Sequence, residues 1–188
     1  MFKRMIILFA IELCCLQMHA QGSSIGTLNK LIDEASGITI ASTPGVFAYV
    51  LNDSGDTSRF FGIDDKGRLI HTFYFKGVEG NKGVRDCEDM ASGKGIQGNE
   101  RYIYIGDIGD NGASRPYVTI YRTPEPAHTV DTVSNVNAEP VFFTYPDGPR
   151  DAEAMMVDNI DRLLYIISKR EDTIGIYTAS LQWNTGDT

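Results

Sequence analysis

The sequence predicts an all-β protein, and three observations carry that expectation. Nineteen Gly, nine Phe and nine Tyr among 188 residues favour strands joined by tight turns, because aromatic side chains fit a pleated surface and Gly accepts turn backbone. Short runs rich in Val, Ile, Tyr and Phe recur from Ser36 onward, each bounded by Gly, Asp, Asn or Pro. Few segments carry the apolar period of a helix. With 42% hydrophobic and 22% charged residues, the chain has the composition of about one globular domain with enough apolar material for a core.

The first twenty residues stand apart from that fold. Lys3 and Arg4 precede the apolar run from Met5 to Leu16, and Met18-His-Ala20 places a small residue before Gln21. A basic head, a short apolar stretch and a small residue at the cut describe a secretory signal peptide over 1–20. The run is short for a bilayer and Glu12 interrupts it, so no membrane span is expected after cleavage. The chain is thus expected to be exported, to the periplasm, the cell surface or the medium.

Loss of Lys3, Arg4 and Glu12 takes the net charge from −8 to −9, with 15 basic and 24 acidic residues remaining. No basic stripe offsets that balance, and such a chain cannot neutralise a run of phosphates, which excludes a nucleic-acid partner. Cys14 and Cys15 leave with the signal, so Cys87 is the only thiol and no intrachain disulfide can form. Cys87 is either a reactive or linking thiol or a small buried hydrophobe. With no base beside it in sequence, the second reading is preferred.

Residues 21–35 read as a lead-in, with a short helix over Ser24 to Glu34 that would put Ile25, Leu28, Leu31 and Ile32 on one face. Eleven strands follow. The expected segments are Gly37 to Ala41, Val46 to Leu51, Arg59 to Ile63, Leu69 to Phe75, Met90 to Ser92, Arg101 to Gly106, Tyr117 to Arg122, Val141 to Tyr145, Ala154 to Val157, Leu163 to Ser168 and Ile174 to Ser180. The turns Asn52-Asp-Ser-Gly55, Asp64-Asp-Lys-Gly67, Asp110-Asn-Gly112 and Pro146-Asp-Gly148 make the connections antiparallel.

The strands repeat in groups. Glu34-Ala-Ser-Gly-Ile38, Asp86-Cys-Glu-Asp-Met90 and Asp151-Ala-Glu-Ala-Met155 each open with an acidic residue ahead of a small or apolar strand. Glu34, Glu88 and Glu153 lie 54 and 65 residues apart, room for four short strands each time. A strongly apolar strand follows each: Val46-Phe-Ala-Tyr-Val50, Tyr102-Ile-Tyr-Ile105 and Leu164-Tyr-Ile-Ile167. Four antiparallel strands at this period mark the blades of a β-propeller, where both faces of a blade are covered and apolar runs become continuous. The chain is expected to be a propeller fragment over 36–188, with about three four-stranded blades and the last one incomplete. Three blades cannot close a ring, so the missing blades are expected from the rest of a longer chain, and the isolated piece is expected to expose apolar blade faces.

The motif set resembles secreted bacterial β-propeller proteins of the NHL and esterase-like phytase type. It consists of Asp86-Cys-Glu-Asp-Met90, Tyr104-Ile-Gly-Asp-Ile-Gly-Asp-Asn111, Ile120-Tyr-Arg-Thr-Pro-Glu-Pro126, Tyr145-Pro-Asp-Gly148, Asp151-Ala-Glu-Ala154 and Tyr165-Ile-Ile-Ser-Lys169. The similarity spans roughly residues 34 to 180. It implies a fold more than an activity, since propellers of one pattern host binding, scaffolding and hydrolysis.

Propeller ligands sit where the first strands of the blades meet, and here those strands begin beside Glu34, Glu88 with Asp89, and Glu153. Carboxylates brought together from different blades repel unless a cation joins them, and hard oxygen ligands suit Ca²⁺. The alternative is that each acid hydrogen-bonds backbone amides at the start of its strand. In Gly106-Asp-Ile-Gly-Asp-Asn-Gly112, Asp107, Asp110 and Asn111 form either a small cation loop or a hairpin in which Asp110 pairs with Arg115; the strong Asn-Gly turn favours the hairpin. Lys169 and Arg170 either hold a substrate phosphate or carboxylate, as the phytase resemblance implies, or pair with Glu171, Asp172 or a central carboxylate. His71 and His128 stand apart from other zinc ligands, and neither a Gly-x-Ser-x-Gly elbow nor a Walker loop occurs. Two functions follow: a binding or scaffold module for a small molecule or protein, ranked first, and a Ca²⁺-dependent hydrolase of a phosphoester or lactone.

Overall fold

The computed structural model describes residues 22–95, 99–127 and 131–183. Residues 1–20, expected as a signal peptide, His128 and the residues after Trp183 lie outside them. Twelve strands form three sheets, and no described residue is helical. Sheet 1 is an antiparallel meander of β1 (Ala35–Ile40), β2 (Ala48–Asn52), β3 (Arg59–Ile63) and β4 (Leu69–Phe75). Sheet 2 runs through β5 (Cys87–Lys94), β6 (Arg101–Asp107) and β7 (Val118–Pro124). The chain then crosses to sheet 1 as β8 (Val133–Val136), parallel to β4, and returns to sheet 2 as β9 (Glu139–Phe143). Sheet 3 is β10 (Ala152–Asp158), β11 (Leu163–Ser168) and β12 (Ile176–Ser180). Polar hairpins join the strands: Asp64 accepts the amides of Lys66 and Arg68 at 2.9 and 2.8 Å, a side-chain turn that frees the next strand to pair.

Sheet 2 lies between the other two and is apolar on both faces. Ile103, Ile105 and Tyr121 face sheet 1, where they meet Tyr49, Leu51, Phe60, Phe73 and Phe75. Tyr104, Ile120 and Val141 face sheet 3 and meet Met155, Leu164, Ile166 and Trp183. This two-sided burial is the physical reason for the continuous apolar runs. Cys87 packs buried and unpaired into the first of these cores, and burial pushes its thiol pKa well up.

The first strands are neighbours across the sheets, with β5 between β1 and β10. Gly37 allows the approach of β1, since a Cβ there would lie 2.6 Å from the amide nitrogen of Met90. The Ser36 hydroxyl donates to the Glu88 carbonyl at 2.6 Å, and the Met155 amide donates to the Asp89 carboxylate at 2.7 Å.

Two expectations are corrected. Residues 24–34 form an irregular strap with a turn at Lys30 and Leu31 rather than a helix. Only Ile32 is buried, against Ala48, Val50, Phe61 and Ile63 of sheet 1, while Ile25, Leu28 and Leu31 stay exposed. Gly26 lowers helix propensity here, and one extended contact with the sheet replaces an amphipathic face. The strand β8 was not expected, because Val133-Ser-Asn-Val136 has no distinctive apolar alternation. It forms because the edge of β4 offers unpaired backbone groups, and Ser134 Oγ also meets His71 Nε2 at 2.9 Å.

Candidate metal centre

Each sheet opens with the same device. The register between its first two strands slips at Ala35/Ile38, Cys87/Asp89 and Ala152/Ala154, and Asn52, Asp107 and Ser168 stand opposite these bulges. Such a bulge re-aims the side chains beside it. Glu34, Asp86 and Asp151 are therefore equivalent positions, and Ser36, Glu88 and Glu153 are equivalent two residues on.

The bulges bring together a set of carboxylates that differs from the expected Glu34, Glu88, Asp89 and Glu153. Asp53, in the turn after β2, joins Asp86 and Glu88 so that one oxygen of each lies within 4.8 Å of the others. Glu88 is 7% exposed. Burial and then the charges of Asp53, Glu153, Asp86 and Asp151 push its carboxyl pKa up to about 8. Asp86 shifts upward too, from burial and the charges of Asp53, Asp107 and Asp151, with Arg115 opposing. No hydrogen bond or ion pair joins the side-chain carboxylate of Asp86 or Glu88 to a described residue.

The other expected residues have structural duties. Glu34 is exposed and contributes only its carbonyl, which accepts the Asp53 amide at 2.8 Å. Asp89 accepts the amides of Met90 and Met155 at 2.8 and 2.7 Å, so it locks β10 to β5. Glu153 lies close enough to raise Glu88, but Lys169 and Arg170 pair with it. Arg170 also donates to the buried Asp151 at 2.6 Å. Both cations are thus engaged by carboxylates at the start of β10, the pairing weighed against a ligand contact.

The 106–112 loop is likewise closed upon itself. Asp107 is fully buried, accepts the amides of Arg85 and Asp86 at 3.0 and 3.1 Å, and pairs with Arg115 at 2.8 Å. Asp110 takes the amides of Ser114 and Arg115 at 2.6 and 2.7 Å, and Asn111 is exposed at the turn. Arg115 therefore pairs with Asp107, correcting the expected pairing with Asp110. Gly109 lies against the trio, where a Cβ would come within 2.3 Å of an Asp86 carboxylate oxygen and 2.6 Å of one from Glu88.

Sequence reasoning missed Asp53 and Asp86. Asp53 looks like ordinary turn chemistry in Asn52-Asp-Ser-Gly55, and long-range bonds, from its own amide to Glu34 and from the Asn52 side chain to Leu31 and Asp33, tie that turn to the start of β1. Asp86 was visible in the repeat, at the position shared with Glu34 and Asp151. A roomier groove of about 690 Å³ lies by Ser42, Thr43, Arg101 and Glu125. Burial raises Glu125, but hydrogen bonds from Ser42 and Arg101 outweigh it and leave the pKa lowered, so that carboxylate is already satisfied.

No family model matches the chain, and neither a curated protein nor a solved structure matches it. Among the described residues, no helix is long and apolar enough to cross a membrane.

Proposed function

We propose that the chain is a run of blades from an exported β-propeller and acts as a binding module, with its ligand centre where β1, β5 and β10 begin. Three successive meanders support the ring reading, each with its first strand beside the first strand of the next. Continuous cores between sheets 1 and 2 and between sheets 2 and 3 support it further. One observation carries the binding reading: Asp53, Asp86, Glu88, Asp151 and Glu153, drawn from all three sheets, gather at this end, and among the described residues only the last two form ion pairs. An opening with surplus negative charge attracts a metal ion or a cationic group on a small molecule or protein.

Hydrolysis is the second reading, favoured by a Glu88 carboxyl that keeps its proton near neutral pH beside two further carboxylates. Amide-shift mapping of the ¹⁵N-labelled chain against a Lys-rich peptide, glycerol phosphate and a γ-lactone tests both. Shifts at Asp53, Asp86 to Glu88 and Asp151 to Glu153 support the binding centre. Shifts confined to the groove by Ser42, Thr43, Arg101 and Glu125 would remove it. Turnover of the phosphoester or lactone that disappears in Glu88→Gln would put the hydrolase first.

A further inference from the structure

Sheet 2 has a second opening, at the ends of β6 and β7 away from the carboxylates. Tyr102 near the start of β6 pairs with Pro124 at the end of β7, whereas Asp107, opposite Cys87, pairs with Thr119 at the other end. Beside Tyr102 and Pro124 the chain encloses a cavity of about 340 Å³. Tyr102, Pro124 and Val136 give it apolar walls, and Arg122, Asn137 and Glu139 give it polar ones. The excursion to β8 builds this space, because Val136 stays on sheet 1 while Glu139 has already rejoined sheet 2.

The guanidinium in the wall of this cavity is buried and incompletely paired. Arg122 is only 2% exposed. Its Nε and Nη2 donate to a single oxygen, Glu139 Oε2, at 3.0 and 2.9 Å, and the Trp183 ring lies 5.0 Å from its central carbon. Nη1 finds no acceptor among the described residues, and neither does the Trp183 indole nitrogen. Buried polar groups are otherwise paired, and both orphans are donors, so what this place lacks is an acceptor. Glu139 is the yielding part of the wall: its side chain is 42% exposed, against 2% for Arg122. Arg115 also keeps unpaired donors, but it lies against Asp107 and Asp110, whose charge repels an anion.

We infer that the cavity beside Arg122 binds a small organic carboxylate with an apolar body. The ligand carboxylate accepts from Nη1 and Nη2 as Glu139 turns toward solvent, since paired guanidinium donors match the two oxygens of a carboxylate. The apolar body packs on Tyr102, Pro124 and Val136. A cavity of this size stands at the lower end of small-molecule sites, which suits a single ring rather than a nucleotide or a lipid. The site shares no residue with Asp53, Asp86 and Glu88, so it stands or falls apart from the centre proposed above.

The test titrates the ¹⁵N-labelled chain with sodium benzoate and, as a neutral molecule of similar shape, with benzyl alcohol. Benzoate should shift the amides of Tyr102, Arg122 and Asn137 with a dissociation constant of roughly 0.1 to 1 mM, the class of fragment-sized ligands. Benzyl alcohol should bind about tenfold more weakly, because it brings no charged acceptor. Glu139→Gln removes the competing carboxylate and should tighten benzoate about threefold or more, an effect that general damage to the fold would not produce. Asn137→Trp fills the cavity from an exposed position without touching the ion pair and should abolish binding. Arg122→Met should lose benzoate as well; if that variant does not fold, the other two variants decide. Equal affinity for the alcohol, weaker benzoate binding in Glu139→Gln, undiminished binding in Asn137→Trp, or shifts away from these amides overturns the inference, as does a titration without shifts.

Discussion

The starts of β5 and β10 carry the same Asp-x-Glu-x-Met sequence in opposite electrostatic settings. Asp151 and Glu153 face Arg170 and Lys169, while Asp86 and Glu88 face Asp53 and one another. The pleat and bulge repeat, so the acidic side chains arrive at equivalent places. Their partners come from the turn after the neighbouring strand, and that turn does not repeat in composition. A repeated motif therefore fixes position, whereas charge balance belongs to the loop opposite.

The largest test of this contrast lies in Asp107, whose cation, Arg115, is buried with it. Asp107→Asn keeps the shape but leaves Arg115, itself buried, without a counter-charge. Removing one partner of such a pair costs about 3 to 5 kcal/mol, which a chemical denaturation curve would read. A loss below about 1 kcal/mol would mean that the guanidinium finds water or another acid, and that internal neutralisation does not distinguish the acids around β5.

Next in size is the pH dependence of the calcium-free chain. Folded Glu88 holds its proton to about pH 8, against an ordinary value of 4.5. Between those values the folded state binds the extra proton, so this contribution is complete below pH 4.5 and is lost as pH rises through about 8. Because the carboxylate faces an opening where it can relax, the expected loss is about 2 kcal/mol between pH 5 and 8.5. Urea melts at the two pH values should show it, and Glu88→Gln should flatten it. A profile that rises over this range, or one unchanged in the variant, would show that Glu88 is not the strained member.

Most of the sheet architecture was legible, because strand periodicity and turn chemistry are local. Arg59–Ile63, Leu69–Phe75 and Leu163–Ser168 fall where the pattern puts them. The strap before β1 and the strand β8 were not legible, since each takes its shape from a sheet it lies against rather than from its own pattern. The candidate site was half legible. Glu88 and Glu153 stood out in the repeat, but the bulge aligns Glu34 with Asp86 and Asp151, two residues before the position that Glu88 and Glu153 share. Asp53 comes to the site through a long-range backbone bond that no local spacing announces.

The smallest effect, and the most direct use of the comparison, comes from making β10 resemble β5. Arg170→Ala removes the cation from Asp151, which is buried, and leaves Lys169 on Glu153. Arg170 is itself half exposed, so the pair is screened and the cost should be about 1 kcal/mol. Stability is only the first reading. With Lys169 also replaced by Ala, Asp151 and Glu153 become a bare pair like Asp86 and Glu88, and millimolar Ca²⁺ should restore part of the lost melting temperature. If the double variant gains no calcium response while the unaltered chain has one, then two bare carboxylates are insufficient. The third acid, Asp53, would then be what turns the start of β5 into a cation site.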